Sequence, residues 1–181
     1  MNSKQIQIHD KTFSSFLDEE LILARIKNLA EALELDYKEK DLLFVAILNG
    51  AFMFASDLMK NLNRNVEISF VKVSSYKGTQ TSGRVDELIG LNNQMEGRNV
   101  VVLEDIVDTG ITIDKVVSLI RANDPASVEV CTLLYKPEAH KGKFKPKYIG
   151  FEIPDKFVVG YGLDYNEQGR NLKELYQLKE K

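Results

Sequence analysis

Residues 99–112 read Asn99-Val100-Val101-Val102-Leu103-Glu104-Asp105-Ile106-Val107-Asp108-Thr109-Gly110-Ile111-Thr112, and the order of chemistries along this stretch decides the fold. Asn99 to Leu103 is short and apolar after its first residue, the pattern of a strand covered on both faces. The acids Glu104 and Asp105 follow. A turn holding one glycine and two threonines then opens a helical pattern through Val116, Val117, Leu119 and Ile120, which Asp124-Pro125 closes. A buried strand feeding a helix through a short turn is the first half of a βαβ unit.

Upstream, Leu42 to Leu48 is a second wholly apolar run, bounded by Asp41 and Asn49-Gly50, and reads as another doubly covered strand. Residues 18–35 place Leu21, Ile22, Ala24, Ile26, Leu29, Ala32 and Leu33 at helical intervals. Asp18, Glu19 and Glu20 open that run, and acids suit the positive end of a helix. A helix is predicted for Ala51 to Leu62 and a half-polar strand for Val66 to Val73. Downstream, Val128 to Leu134 is a further strand, ending in Tyr135-Lys136-Pro137. Strand and helix patterns alternate, so the fold class is α/β, with a largely parallel central sheet flanked by helices.

The C-terminal part breaks the alternation with short extended pieces at Tyr148 to Ile153 and Lys156 to Gly160. Residues 145–181, with the N-terminal residues, are expected to form a small hood over the sheet edge. Residues 74–86, Ser-Ser-Tyr-Lys-Gly-Thr-Gln-Thr-Ser-Gly-Arg-Val-Asp, hold too little apolar surface to offset the entropy of ordering them. They read as a mobile lid loop. No repeat or linker divides the chain, so residues 1–181 read as a single domain.

At 181 residues and 44% hydrophobic composition, the chain can bury one sizeable core. A net charge of -3 with interspersed signs excludes a generic nucleic-acid binder, whose affinity depends on an excess of Lys and Arg. The single cysteine, Cys131, lies in an apolar run and has no internal partner, which suits a reducing compartment. No apolar stretch has the length of a signal-peptide core or a membrane span, so a cytoplasmic location without membrane contact is expected. The histidines, His9 and His140, do not stand near a second metal-type ligand at zinc-site spacing and read as surface residues.

In an open parallel sheet, ligands bind beyond the carboxyl ends of the strands, where helix N-termini present free amides. Residues 108–112 occupy such a position. Gly110 permits close backbone approach, and the hydroxyls of Thr109 and Thr112 can donate to an anion, which suits a phosphate monoester. Glu104 and Asp105, acceptors at neutral pH, suit sugar hydroxyls or a magnesium ion. The plainer reading is that Asp108 or Thr109 caps the helix and the two acids are solvated loop residues.

Residues 101–112 resemble the phosphoribosyl-pyrophosphate signature of type I phosphoribosyltransferases. Leu134-Tyr135-Lys136-Pro137 and residues 150–167, Gly-Phe-Glu-Ile-Pro-Asp-Lys-Phe-Val-Val-Gly-Tyr-Gly-Leu-Asp-Tyr-Asn-Glu, are similar to blocks of the hypoxanthine-guanine branch. With Leu48-Asn49-Gly50 and Ser75-Tyr76 in the expected order, the resemblance covers nearly the whole chain. It implies a purine salvage enzyme that transfers the phosphoribosyl group of phosphoribosyl pyrophosphate to hypoxanthine or guanine, giving the nucleoside monophosphate and pyrophosphate. It also implies a magnesium cofactor and a homodimer or homotetramer.

Residue by residue, the resemblance implies that Asp108, Thr109, Gly110, Ile111 and Thr112 hold the 5'-phosphate, with Asp108 also the general base at purine N7. Glu104 and Asp105 would engage the ribose and, with Asp164, the metal. Lys136, Phe157, Val158 and Asp164 would line the purine pocket, Lys136 donating to the exocyclic O6 and Phe157 stacking on the ring. Asn49, Gly50 and Arg170 would meet the pyrophosphate, and Ser75 and Tyr76 would sit in the lid. Asn49 stands where many relatives carry a lysine, which removes a positive charge from the pyrophosphate loop. Ile111 likewise replaces a lysine of some relatives, although its backbone amide can still donate. Two alternatives stay open on the residues alone: a sensor of phosphoribosyl pyrophosphate with the same fold, and a transferase that prefers xanthine.

Overall fold

The computed structural model describes residues 4–73 and 95–179. Its elements follow the chain as β1 (Gln5–Ile8), β2 (Lys11–Leu17), α1 (Glu19–Asp36), β3 (Leu42–Leu48), α2 (Phe52–Lys60), β4 (Glu67–Lys72), β5 (Asn99–Val107), α3 (Ile111–Arg121), β6 (Ser127–Tyr135), β7 (Tyr148–Glu152), β8 (Val158–Val159) and β9 (Leu175–Leu178). The expected lid, with Ser75 and Tyr76, lies outside the described residues.

The apolar runs become one five-stranded sheet in the order β4-β3-β5-β6-β7, with every pair parallel. Alternation explains why β3 is apolar throughout. Leu42, Phe44 and Ala46 pack toward one cluster with Ile22, Ile26 and Leu33 of α1 and Phe54 and Leu58 of α2. Leu43, Val45 and Ile47 join the opposite cluster, built on Ile113, Val116, Val117 and Ile120 of α3. The sheet is thus covered on both faces. Asp18 starts α1 by accepting the Leu21 amide at 2.8 Å, as the acid-rich opening suggested.

Two departures from the sequence reading bear on the site. β5 does not stop at Leu103 but continues to Val107, which carries Glu104 and Asp105 into the sheet interior. Tyr148–Glu152, expected in the hood, is instead the edge strand of the main sheet, paired in parallel with β6. A five-residue extended piece has no periodicity that says which sheet it joins. The small sheet that remains is antiparallel, in the order β1-β2-β9-β8, and closes around Ile8, Phe13, Val159 and Tyr176. Among the described residues, no helix is long and apolar enough to cross a membrane.

Candidate active site

Because all five strands run the same way, the carboxyl ends of β3, β5, β6 and β7 open on one edge. Segments distant in sequence meet there: Asn49-Gly50, residues 108–112, Lys136 and residues 153–155. Backbone bonds staple three of these ends together. The Lys136 amide donates to the Val107 carbonyl at 3.0 Å, and the Ile153 amide donates to the Tyr135 carbonyl at 2.8 Å.

The turn between β5 and α3 depends on Gly110, whose φ of 82° lies in the left-handed region. A Cβ there would also come within 2.6 Å of the His140 ring. Glycine at this position offers no side chain to cap the first amides of α3, and Thr109 Oγ1 accepts from the Ile111 amide at 3.5 Å. Asp108 does not cap the helix, since its Oδ2 goes to Lys136. The amides therefore face a small cavity of about 80 Å³, lined by Glu104, Asp108, Thr109, Gly110 and Thr112 among others. The loop is braced from below. Amides of Lys141 and Gly142 both donate to the Thr109 carbonyl at 3.0 Å, and the Asp114 carboxylate accepts from Lys143 and Phe144. His140, expected at the surface, is half-buried in this brace, its ring 5.4 Å from that of Tyr135.

Strand alternation sends Glu104 and Asp105 to opposite faces. Glu104 lines the phosphate-sized cavity, whereas Asp105 points at Gly50. A Cβ on Gly50 would lie 1.7 Å from Asp105 Oδ2, so a side chain there would have to displace the carboxylate. Both acids are buried, against the solvated-loop reading. Burial pushes the Glu104 carboxyl well above its ordinary value, and the charge of Asp105 adds to this. Burial likewise raises Asp105, to about 6, despite the Ile106 amide that its Oδ1 accepts at 2.8 Å. Glu104 Oε2 is buried with no hydrogen-bond partner among the described residues.

Asp164 and Arg170 pair with each other at 2.6 Å, each about one quarter exposed, and Arg170 also donates to the Gly162 carbonyl at 2.8 Å. Their charges are felt at Asp105, Arg170 lowering its pKa and Asp164 raising it. Among the described residues, however, no three His, Cys, Asp or Glu side chains form a metal-holding cluster. Glu104, Asp105 and Asp164 are therefore not a closed metal site. The buried Glu104 oxygen, left without a partner among the described residues, still fits an open site for a hard cation, one that takes its other ligands from a substrate.

Lys136 is buried at the end of β6, with its ammonium 3.0 Å from Asp108 Oδ2 and 3.1 Å from Asp155 Oδ1. Two residues beyond Asp155, Phe157 is 45% exposed and leans on Tyr165 and Phe13, with ring centroids 5.9 and 6.3 Å away. It is not core. Val158 is buried in β8, and Asn49 is exposed after a cis Leu48–Asn49 peptide. Reasoning from sequence did not single out Asp155 or His140. Asp155 sits inside the quoted 150–167 block but has no periodic or motif signal of its own, and the His140 position emerges only from the loop's path.

The model of the phosphoribosyl transferase domain family matches residues 12–166. The hypoxanthine-guanine phosphoribosyltransferase of Aquifex aeolicus is 39% identical over 176 residues, 96% of this chain and 99% of the relative. A crystal structure of the Staphylococcus aureus hypoxanthine phosphoribosyltransferase superposes with a TM-score of 0.85 at 42% identity, covering 92% of this chain and 91% of that one. A ternary substrate complex of a Trypanosoma cruzi hypoxanthine phosphoribosyltransferase mutant gives 0.85 at 34% identity, over 98% and 96% of the two chains. With the strand-end loops, the paired acids and the buried lysine in one place, these matches make the chain a member of the hypoxanthine-guanine phosphoribosyltransferase family.

Proposed function

We propose that this strand-end edge binds phosphoribosyl pyrophosphate beside a 6-oxopurine and joins the base to the sugar, releasing pyrophosphate. One observation carries the reading: a buried ammonium, Lys136, stands 3.0 Å from a carboxylate, Asp108, at the mouth of an open phosphate-sized loop. A 6-oxopurine presents an acceptor at O6 next to an N7–H donor. A lysine and an aspartate held side by side match that pair, whereas the amino group of adenine would leave the ammonium facing a donor.

In this reading residues 108–112 hold the 5'-phosphate through backbone amides and threonine hydroxyls. The N7 proton passes to Asp108 as N9 bonds to the ribose carbon and the bond to pyrophosphate breaks. Phe157 stacks on the ring, and Val158 offers backbone to its far edge. Asn49, Gly50 and Arg170 face the leaving group; with no lysine at position 49, Arg170 supplies a positive charge there. Magnesium, when bound with the substrate, would neutralise pyrophosphate charge, and Glu104, Asp105 and Asp164 are the residues that would hold it with the ribose hydroxyls. The homodimer or homotetramer implied by the family belongs to the same proposal.

The test is an assay of hypoxanthine, guanine, xanthine and adenine with phosphoribosyl pyrophosphate, with and without magnesium. The expected outcome is nucleotide formation from 6-oxopurines, none from adenine, and loss of activity on chelation. Turnover of adenine at a comparable rate would refute the role given to Lys136.

A further inference from the structure

We infer that Asp155 is a positioning residue of the purine pocket, holding the Lys136 ammonium at the O6 edge so that Asp108 stays available to the base; this rests on the purine reading above. Lys136 has a conflict to resolve. Its side chain is 7% exposed, so its charge needs close partners, yet the nearest carboxylate is the one assigned to take a proton. An ammonium bound to Asp108 alone would swing toward that acid and away from the base.

Asp155 supplies a second partner. Its Oδ1 lies 3.1 Å from Lys136 Nζ, and it comes from the turn between β7 and β8, whereas Asp108 comes from the turn between β5 and α3. That turn is itself fixed: the Ile153 amide is bonded to the Tyr135 carbonyl, and the Lys156 amide donates to the Pro154 carbonyl at 2.7 Å. An ammonium has three donors. Two are directed at Asp108 Oδ2 and Asp155 Oδ1, which leaves one for a purine oxygen and restrains the direction in which it points. The same turn leads straight into Phe157 and Val158, so the group that sets the lysine also sets the start of the strand expected to cradle the base.

The experiment compares Asp155→Ala, Asp155→Asn, Lys136→Ala and the double variant Lys136→Ala/Asp155→Ala by initial rates over both substrates. Asp155 is 59% exposed on its side chain, so the effect is that of a partly screened ion pair: about a five-fold rise in KM for hypoxanthine. The KM for phosphoribosyl pyrophosphate should stay within two-fold, and the preference for hypoxanthine over adenine should fall. Asp155→Asn, which keeps the shape and loses the charge, should lie between wild type and Asp155→Ala, with its thermal midpoint unchanged. In the Lys136→Ala background, Asp155→Ala should add nothing, because it acts through the lysine. Additive losses, equal changes for both substrates, or an unchanged hypoxanthine KM would overturn the inference. If Lys136→Ala itself spares hypoxanthine, the purine reading fails instead, so the two failures are distinguishable.

Discussion

Replacing Asp105 with Asn should make the ligand-free protein more stable at neutral pH while abolishing its affinity for magnesium and phosphoribosyl pyrophosphate. Burial raises the Asp105 carboxyl from 3.8 to about 6, and each pKa unit is worth about 1.4 kcal/mol. The folded state thus holds a charge it disfavours by up to ~3 kcal/mol. The sign follows from the direction of the shift. A carboxyl whose folded pKa exceeds its unfolded one binds more protons when folded, so stability falls as pH rises from 3.8 to about 6, and the full penalty persists above that. Glu104, raised by burial and by the same neighbour, shifts in the same direction. For a chain of this length 1 kcal/mol moves the midpoint by about 2–4 °C, so Asp105→Asn should melt up to roughly 6–12 °C higher at pH 7.5. The gain should vanish near pH 4. Differential scanning fluorimetry across that range is the assay, repeated with magnesium and phosphoribosyl pyrophosphate, where wild type alone should gain ~2.7 kcal/mol at a hundredfold excess over Kd. A variant no more stable than wild type at pH 7.5, or equally stabilised at pH 4, would show that Asp105 carries no burial penalty.

Asp108→Asn, which cannot take a proton, should lower turnover by about two to four orders of magnitude with modest change in substrate binding; near-normal single-turnover rates would remove Asp108 from the base role. Gly50→Ala should push Asp105 aside, since its Cβ would fall 1.7 Å from Oδ2. It should raise the KM for phosphoribosyl pyrophosphate roughly ten-fold with little effect on hypoxanthine, and isothermal titration showing unaltered phosphoribosyl pyrophosphate affinity would contradict it.

Much of the site was legible because its chemistry is local. A glycine and two threonines between an apolar strand and an apolar-periodic helix already predict a turn, and the chain turns there with Gly110 at a φ of 82°. Leu42–Leu48 emerged as a strand with the bounds its apolar run predicts. Phe157 was harder. An aromatic beside Val158 and Val159 suggests core by composition, yet the structure leaves it 45% exposed, because it sits on the rim where the main sheet passes into the small one.

The amino-acid sequence by itself determined most of the local elements, since period and capping act over a few residues, and it set the order of acids, glycine and threonines in the 104–112 segment. Only the tertiary structure decided that β7 joins the main sheet, that Glu104 and Asp105 are buried, and that Asp155 reaches Lys136 across 19 positions. Those outcomes depend on which strands pair and on what packs over a strand end. Such contacts join residues far apart in the chain, so no short window of sequence contains them.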